Sequence, residues 1–117
     1  MIDKHYYKEM LQKERLMPFF HKDKLIAFIT FYIGNEGDRD KFVRDNMWSV
    51  EEDDVYGNVC FIDHLVTSKG SENPKLSYQI WGDFKKYIKV NFMNVSYISW
   101  NRLNKRTRRI KVYRKVL

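Results

Sequence analysis

The run Leu25–Ile33 (LIAFITFYI) constrains this chain more than any other segment. It is nearly all β-branched or aromatic, so it reads as a strand. It is also too continuously apolar to keep one face in water, so the sheet that holds it must be covered on both sides. Gly34-Asn35-Glu36-Gly37 ends the run. Ahead of it, Leu16 to Phe20 is extended, because Pro18 disfavours continued helix. His21-Lys22-Asp23-Lys24 between the two reads as a polar hairpin turn, its type left open by the lack of glycine.

A second buried strand is expected over Val59–Thr67 (VCFIDHLVT), and a third over Val95–Arg102 (VSYISWNR). Between them, Pro74 at a first helical position with Asn73 as cap starts a helix running to about Phe92. Its residues Leu76, Ile80, Trp81, Phe84, Tyr87 and Ile88 form one apolar stripe, while Lys75, Gln79, Asp83, Lys85, Lys86 and Lys89 fill the other face. Strand, crossover helix, strand is a βαβ unit and implies a parallel pair. Residues 4–15 read as a first helix capped by Asp3, with Tyr7, Met10 and Leu11 toward the core and Glu14 at the same spacing. Residues 38–45 read as a short helix followed by an ordered loop, and Arg109–Val116 (RIKVYRKV), after a turn at 103–107, as a half-exposed edge strand. The expected fold is therefore α/β (α+β): a mixed, mostly antiparallel sheet with one parallel βαβ pair and helices on its faces.

At 117 residues, 44% hydrophobic and 16% aromatic, the chain is expected to form one domain (1–117) around an aromatic-rich core, and disorder is not expected. No window approaches a membrane span, and the polar start Met1–His5 lacks the apolar stretch of a secretion signal. The single cysteine, Cys60, rules out an internal disulfide and fits a reducing, cytoplasmic setting; it reads as a buried inert thiol. Glu51-Glu52-Asp53-Asp54 reads as a solvated loop, since consecutive acids do not define a coordination shell. No cysteine or second histidine stands at ligand spacing from His64, so no metal site is expected.

The charge is placed unevenly. Eight of the 22 basic residues and none of the 15 acidic ones lie between Arg102 and Leu117. The whole net charge of +7 thus belongs to the C-terminal segment, which attracts phosphates or acidic surfaces. Arg106, Arg108, Arg109, Lys111 and Arg114, with Trp100 and Tyr113 interleaved, are the candidate contacts for nucleic acid or an acidic protein. No recognition helix or zinc-finger spacing accompanies them, so such binding would be weakly sequence-specific. The plain alternative is an edge strand protected by its charges from pairing with a copy; monomer and dimer both stay open.

FIDHLVTSK, followed by a helix and then VSYISWNR, resembles the GNAT family of acyl-CoA N-acyltransferases, in particular compact GNAT-like proteins of bacteriophage genomes. In that resemblance Leu25–Ile33 stands as the family's third strand, Cys60–Thr67 as the fourth, Pro74–Phe92 as the main helix and Val95–Asn101 as the fifth strand. It covers about three quarters of the chain. It implies transfer of an acetyl or short acyl group from acetyl-CoA or another acyl-CoA to an amine acceptor, in a host cytoplasm if the chain is phage-encoded. Two departures stand beside it. The turn for the CoA pyrophosphate, Thr67 to Lys75, has one glycine (Gly70), the carboxylate of Glu72, and Pro74, which removes a donor. No later helix that would supply a tyrosine acid is expected between Asn101 and the last strand.

The resemblance places Asp63 as general base, with Tyr113 as the substitute acid, and Leu65, Thr67, Lys69, Gly70 and Ser71 along the cofactor. Asn101 and Trp100 border the acceptor. The plain readings are a buried hydrogen bond or an Arg102 partner for Asp63, an ordinary turn at Lys69–Ser71, and core packing for Trp100 and Tyr113. Adjacent residues on a strand face opposite sides, so Asp63 and His64 are not expected to act together on one face. A chain that has lost the catalytic machinery and serves as a basic binding module is the second reading.

Overall fold

The computed structural model describes residues 4–38, 54–68, 74–103 and 106–117. The elements are α1 (Lys4–Gln12), β1 (Leu16–His21), β2 (Lys24–Gly34), β3 (Val59–Thr67), α2 (Pro74–Asn91), β4 (Tyr97–Leu103) and β5 (Ile110–Val116), with a 3-10 turn at Glu36–Asp38. The described strands form one sheet in the order β1-β2-β3-β4-β5. The β3–β4 pair is parallel and the other three pairs are antiparallel. The mixed sheet expected from the sequence is the one found.

The long apolar run is covered on both faces, as its composition requires. Ile29, Phe31 and Ile33 of β2 join Cys60 and Ile98 under α2, whose Ile80, Phe84 and Ile88 are buried. On the other face Tyr32, Val59, Phe61 and Tyr97 pack with Met10 of α1. Phe31, Phe61 and Phe84 are among the largest fully buried side chains, each contributing roughly 1.5–3 kcal/mol. Leu76, Trp81 and Tyr87 flank the buried stripe of α2 while Lys86 and Lys89 face water, as their spacing predicts.

Several boundaries differ from the sequence reading for local reasons. The first helix ends at Gln12, not residue 15, because Glu14 turns left-handed (φ 59°). Glu14 N–H then donates to Leu11 O (3.1 Å) and Arg15 N–H to Met10 O (2.7 Å), a Schellman closure built without glycine. Its sheet-facing side carries Met10 and Tyr7, as expected, the latter edge-on to Phe28 (5.1 Å), and also Tyr6; Leu11 is exposed. Arg15 begins the next segment buried, its guanidinium over the rings of Phe31 and Phe92. The hairpin turn is resolved in type: Lys22 (φ 50°) and Asp23 (φ 63°) are both left-handed between paired His21 and Lys24, a type I′ turn. The third expected strand starts at Tyr97 instead of Val95, and the last at Ile110 instead of Arg109. Apart from the 3-10 turn at its start, the expected helix over 38–45 lies outside the described residues, as do Glu51–Asp53; Asp54 accepts the Tyr56 N–H (3.0 Å).

Candidate functional site

The site forms where two parallel strands stop pairing. β3 and β4 are in register only over Val59–Ile62 and Tyr97–Trp100. Beyond Ile62 and Trp100 lies a cleft of ≈ 350 Å³, closed on one side by Ser77, Ile80 and Trp81 of α2. Ile29 and Ile62 line it with the two tryptophans, and Leu65 and Thr67 follow the outgoing strand. Asp63 and Asn101 are the polar residues that line it from β3 and β4 at the point of divergence. Five sequence-predicted residues (Asp63, Leu65, Thr67, Trp100 and Asn101) are thus brought together.

Asp63 owes its position to a bulge. Thr30 pairs with His64, yet Phe31 pairs with Ile62, so Asp63 is an extra residue on β3. The bulge breaks the strict alternation of side chains. Tyr6 of α1 bonds Asp63 Oδ2, and Tyr7 of the same helix lies 3.0 Å from His64 Nδ1. Both neighbours therefore reach the α1 face, which corrects the expectation that they point to opposite sides. They do not bond each other: His64 Nε2 is 4.0 Å from Asp63 Oδ1.

The Tyr6 phenol has one O–H and donates it to Asp63 Oδ2, so in the 3.2 Å contact with Thr30 the threonine hydroxyl donates and Tyr6 Oη accepts. Thr30 Oγ1 in turn accepts the His64 backbone N–H at 3.1 Å. Burial first, then the bond to Asp63, pushes the Tyr6 phenol far above its ordinary range, so it stays a proton donor. Nothing in the sequence reading singled out Tyr6. The signal was there in the Tyr6–Met10 spacing of four, which puts the phenol on the face that Met10 anchors.

On β4, Asn101 Oδ1 is buried with no hydrogen-bond partner among the described residues. Trp100 stands edge-on to Trp81 (5.2 Å, 74°) and stacks on Tyr113 of β5 (5.6 Å, 8°). Tyr113 thus sits behind Trp100 and does not line the cleft. The basic strand is divided between the faces: Lys111 lies over the Tyr113 ring and Arg114 over that of Tyr97. Arg106, Arg108 and Arg109 are exposed in the preceding turn. The Arg102 side chain and all of Lys69, Gly70 and Ser71 lie outside the described residues. Cys60 is fully buried, as expected of an inert thiol. Among the described residues there is no cluster of three metal-ligating side chains, and no helix is long and apolar enough to cross a membrane. The described part of the β4–β5 connection holds no helix.

No protein-family model matches the chain, and no curated protein matches it by sequence. Solved structures do match. The loading GNATL domain of CurA from Lyngbya majuscula aligns with TM-score 0.68 at 14% identity, over 88% of this chain and 52% of that one. The GphF GNAT-like decarboxylase, solved with isobutyryl-CoA, aligns with TM-score 0.66 at 9% identity, over 86% and 52%. A candidate acetyltransferase from Staphylococcus aureus Mu50 gives 0.53 at 18% identity, over 83% and 59%. At such identities the likeness is one of fold, and this chain spans between half and three fifths of the length of each.

Proposed function

On the premise that this chain has the GNAT fold, we propose that the cleft between β3 and β4 takes an acyl-CoA and that the protein transfers an acetyl or other short acyl group to an amine. The observation that carries this reading is Asn101 Oδ1, a buried acceptor without a partner among the described residues, in a cleft whose other walls are mostly apolar. Leaving it unpaired costs about 1–3 kcal/mol, which a ligand N–H removes. A chain of methylenes and amides suits such walls: Ile62, Trp81 and Trp100 would hold the acyl end and Asn101 would accept an amide N–H. The bound isobutyryl-CoA of the similarly folded GphF supports the same ligand class. Leu65 and Thr67 flank the arm, and the Lys69–Ser71 turn is assigned to the pyrophosphate on sequence grounds.

When bound, an acyl-CoA supplies the acyl group as an activated thioester. The chain's own part is placement and proton transfer. Asp63 Oδ1 accepts the proton that the amine loses as its nitrogen attacks the thioester carbon; the C–S bond would break and the thiolate released would take a proton from water. The indoles of Trp81 and Trp100 and the side chains of Ile29 and Ile80 keep water from the reacting centre.

Calorimetric titration with acetyl-CoA and isobutyryl-CoA tests the reading. Micromolar binding to the native chain is expected, weakened about 10-fold by Asn101→Leu through loss of one hydrogen bond. No binding up to millimolar ligand sinks it.

A further inference from the structure

The first helix is a working part of the same site. Met10 is fully buried against the sheet and fixes how α1 lies on it. One turn earlier, Tyr6 is held edge-on by Tyr7 (5.2 Å, 67°) and tilted against the His64 ring (5.5 Å, 59°). Its hydroxyl meets Asp63 Oδ2 at the bulge, with Thr30 supplying the second bond. Among the described residues Oδ1 is left with only the His64 ring, 4.0 Å away.

We propose that Tyr6 is a positioning residue: by occupying Asp63 Oδ2 it holds the carboxylate at the bulge beside the cleft and leaves Oδ1 as the oxygen that takes the proton from an amine. The inference rests on the acyl-transfer reading of the cleft. It assigns the base two unlike oxygens, one fixed by a phenol from the far side of the sheet and one kept for substrate. Because the ring of Tyr6 is locked by its neighbours, the bond fixes direction as well as distance.

Two measurements decide it. In the first, tyrosines labelled with ¹³C at Cζ are followed by NMR in the whole chain, with the Tyr6 signal identified by its loss in Tyr6→Phe. That signal should stay flat to about pH 11 in the native protein, because a buried phenol bonded to a carboxylate resists ionisation. In Asp63→Asn it should ionise at lower pH. A Tyr6 Cζ chemical shift that does not move in Asp63→Asn overturns the bond. In the second, transfer from acetyl-CoA to ethylamine is measured for the native chain and Tyr6→Phe, which keeps the ring. The expected loss in kcat is about 10- to 100-fold, the scale of a misplaced catalytic group, with KM for acetyl-CoA unchanged.

An unchanged kcat, or a loss carried by KM, overturns the proposal. A chain that binds acetyl-CoA but shows no dependence on Tyr6 sinks this inference alone. A chain that binds none sinks the reading beneath it, and this inference with it.

Discussion

Gly57 and Gly82 should respond to the same substitution with opposite signs. Gly57 is buried where the chain returns to the sheet beside the end of β2. A Cβ there would stand 2.2 Å from the Gly34 carbonyl oxygen, 2.6 Å from its carbon and 2.8 Å from its Cα. All three atoms are backbone, so no side chain can swing aside. The two segments would have to part by about 1 Å to reach ordinary contact.

That movement strains the bonds from Asp54 N–H to Ile33 O (2.8 Å) and from Gly57 N–H to Asp54 O (2.9 Å). Each is worth about 1 kcal/mol, and overpacking adds about 1–3 kcal/mol. The expected loss for Gly57→Ala is therefore about 3 kcal/mol, or on the order of 10 °C in Tm for a domain of this size. At Gly82, exposed within α2, an added Cβ meets nothing within 4 Å. Gly82→Ala should gain about 1 kcal/mol from helix propensity. Urea unfolding followed by tryptophan fluorescence reads both. A Gly57→Ala protein within about 1 kcal/mol of the native one would refute the close approach.

Replacing Lys22-Asp23 by Asn-Gly suits the two left-handed positions of the hairpin turn and should stabilise by about 1 kcal/mol; an unchanged urea midpoint would count against the type I′ assignment. Alkaline stability follows from Tyr6. The unfolded chain loses that proton near the ordinary tyrosine value of 10.0 while the folded chain keeps it, so stability is full below that pH and falls above it. Tyr6→Phe should flatten the fall between about pH 10 and 11, read as Tm against pH; an identical slope would place the Tyr6 proton elsewhere. Asp63→Asn should abolish transfer to ethylamine while leaving acetyl-CoA affinity within about threefold, since the proton acceptor is lost and the walls are kept; retained turnover would remove Asp63 from the base's role.

Much of the fold was legible because its signals are local. The apolar run of β2 demanded cover on both faces, and α1 and α2 supply it. β3 begins and ends where its residues suggest, at Val59 and Thr67, and α2 begins at Pro74. The helix end at Gln12 was not legible, because it depends on Glu14 accepting a left-handed conformation that glycine usually takes. The type I′ hairpin escaped for the same reason. Asp63, Trp100 and Asn101 were reached through family resemblance, whereas Tyr6, Ser77 and Trp81 come to the cleft or its base from helices whose docking no short window of residues reveals.

By itself, then, the sequence determined a doubly covered mixed sheet, a parallel strand-helix-strand unit and a basic edge strand, because periodicity and composition act over a few residues. Only the tertiary structure decided which side chains Asp63 meets. The register of β2 against β3 inserts one residue at the bulge, bringing Asp63 and His64 to the tyrosines of α1. That register is set by pairing between residues more than thirty positions apart, and a shift of one residue reverses which face a side chain meets.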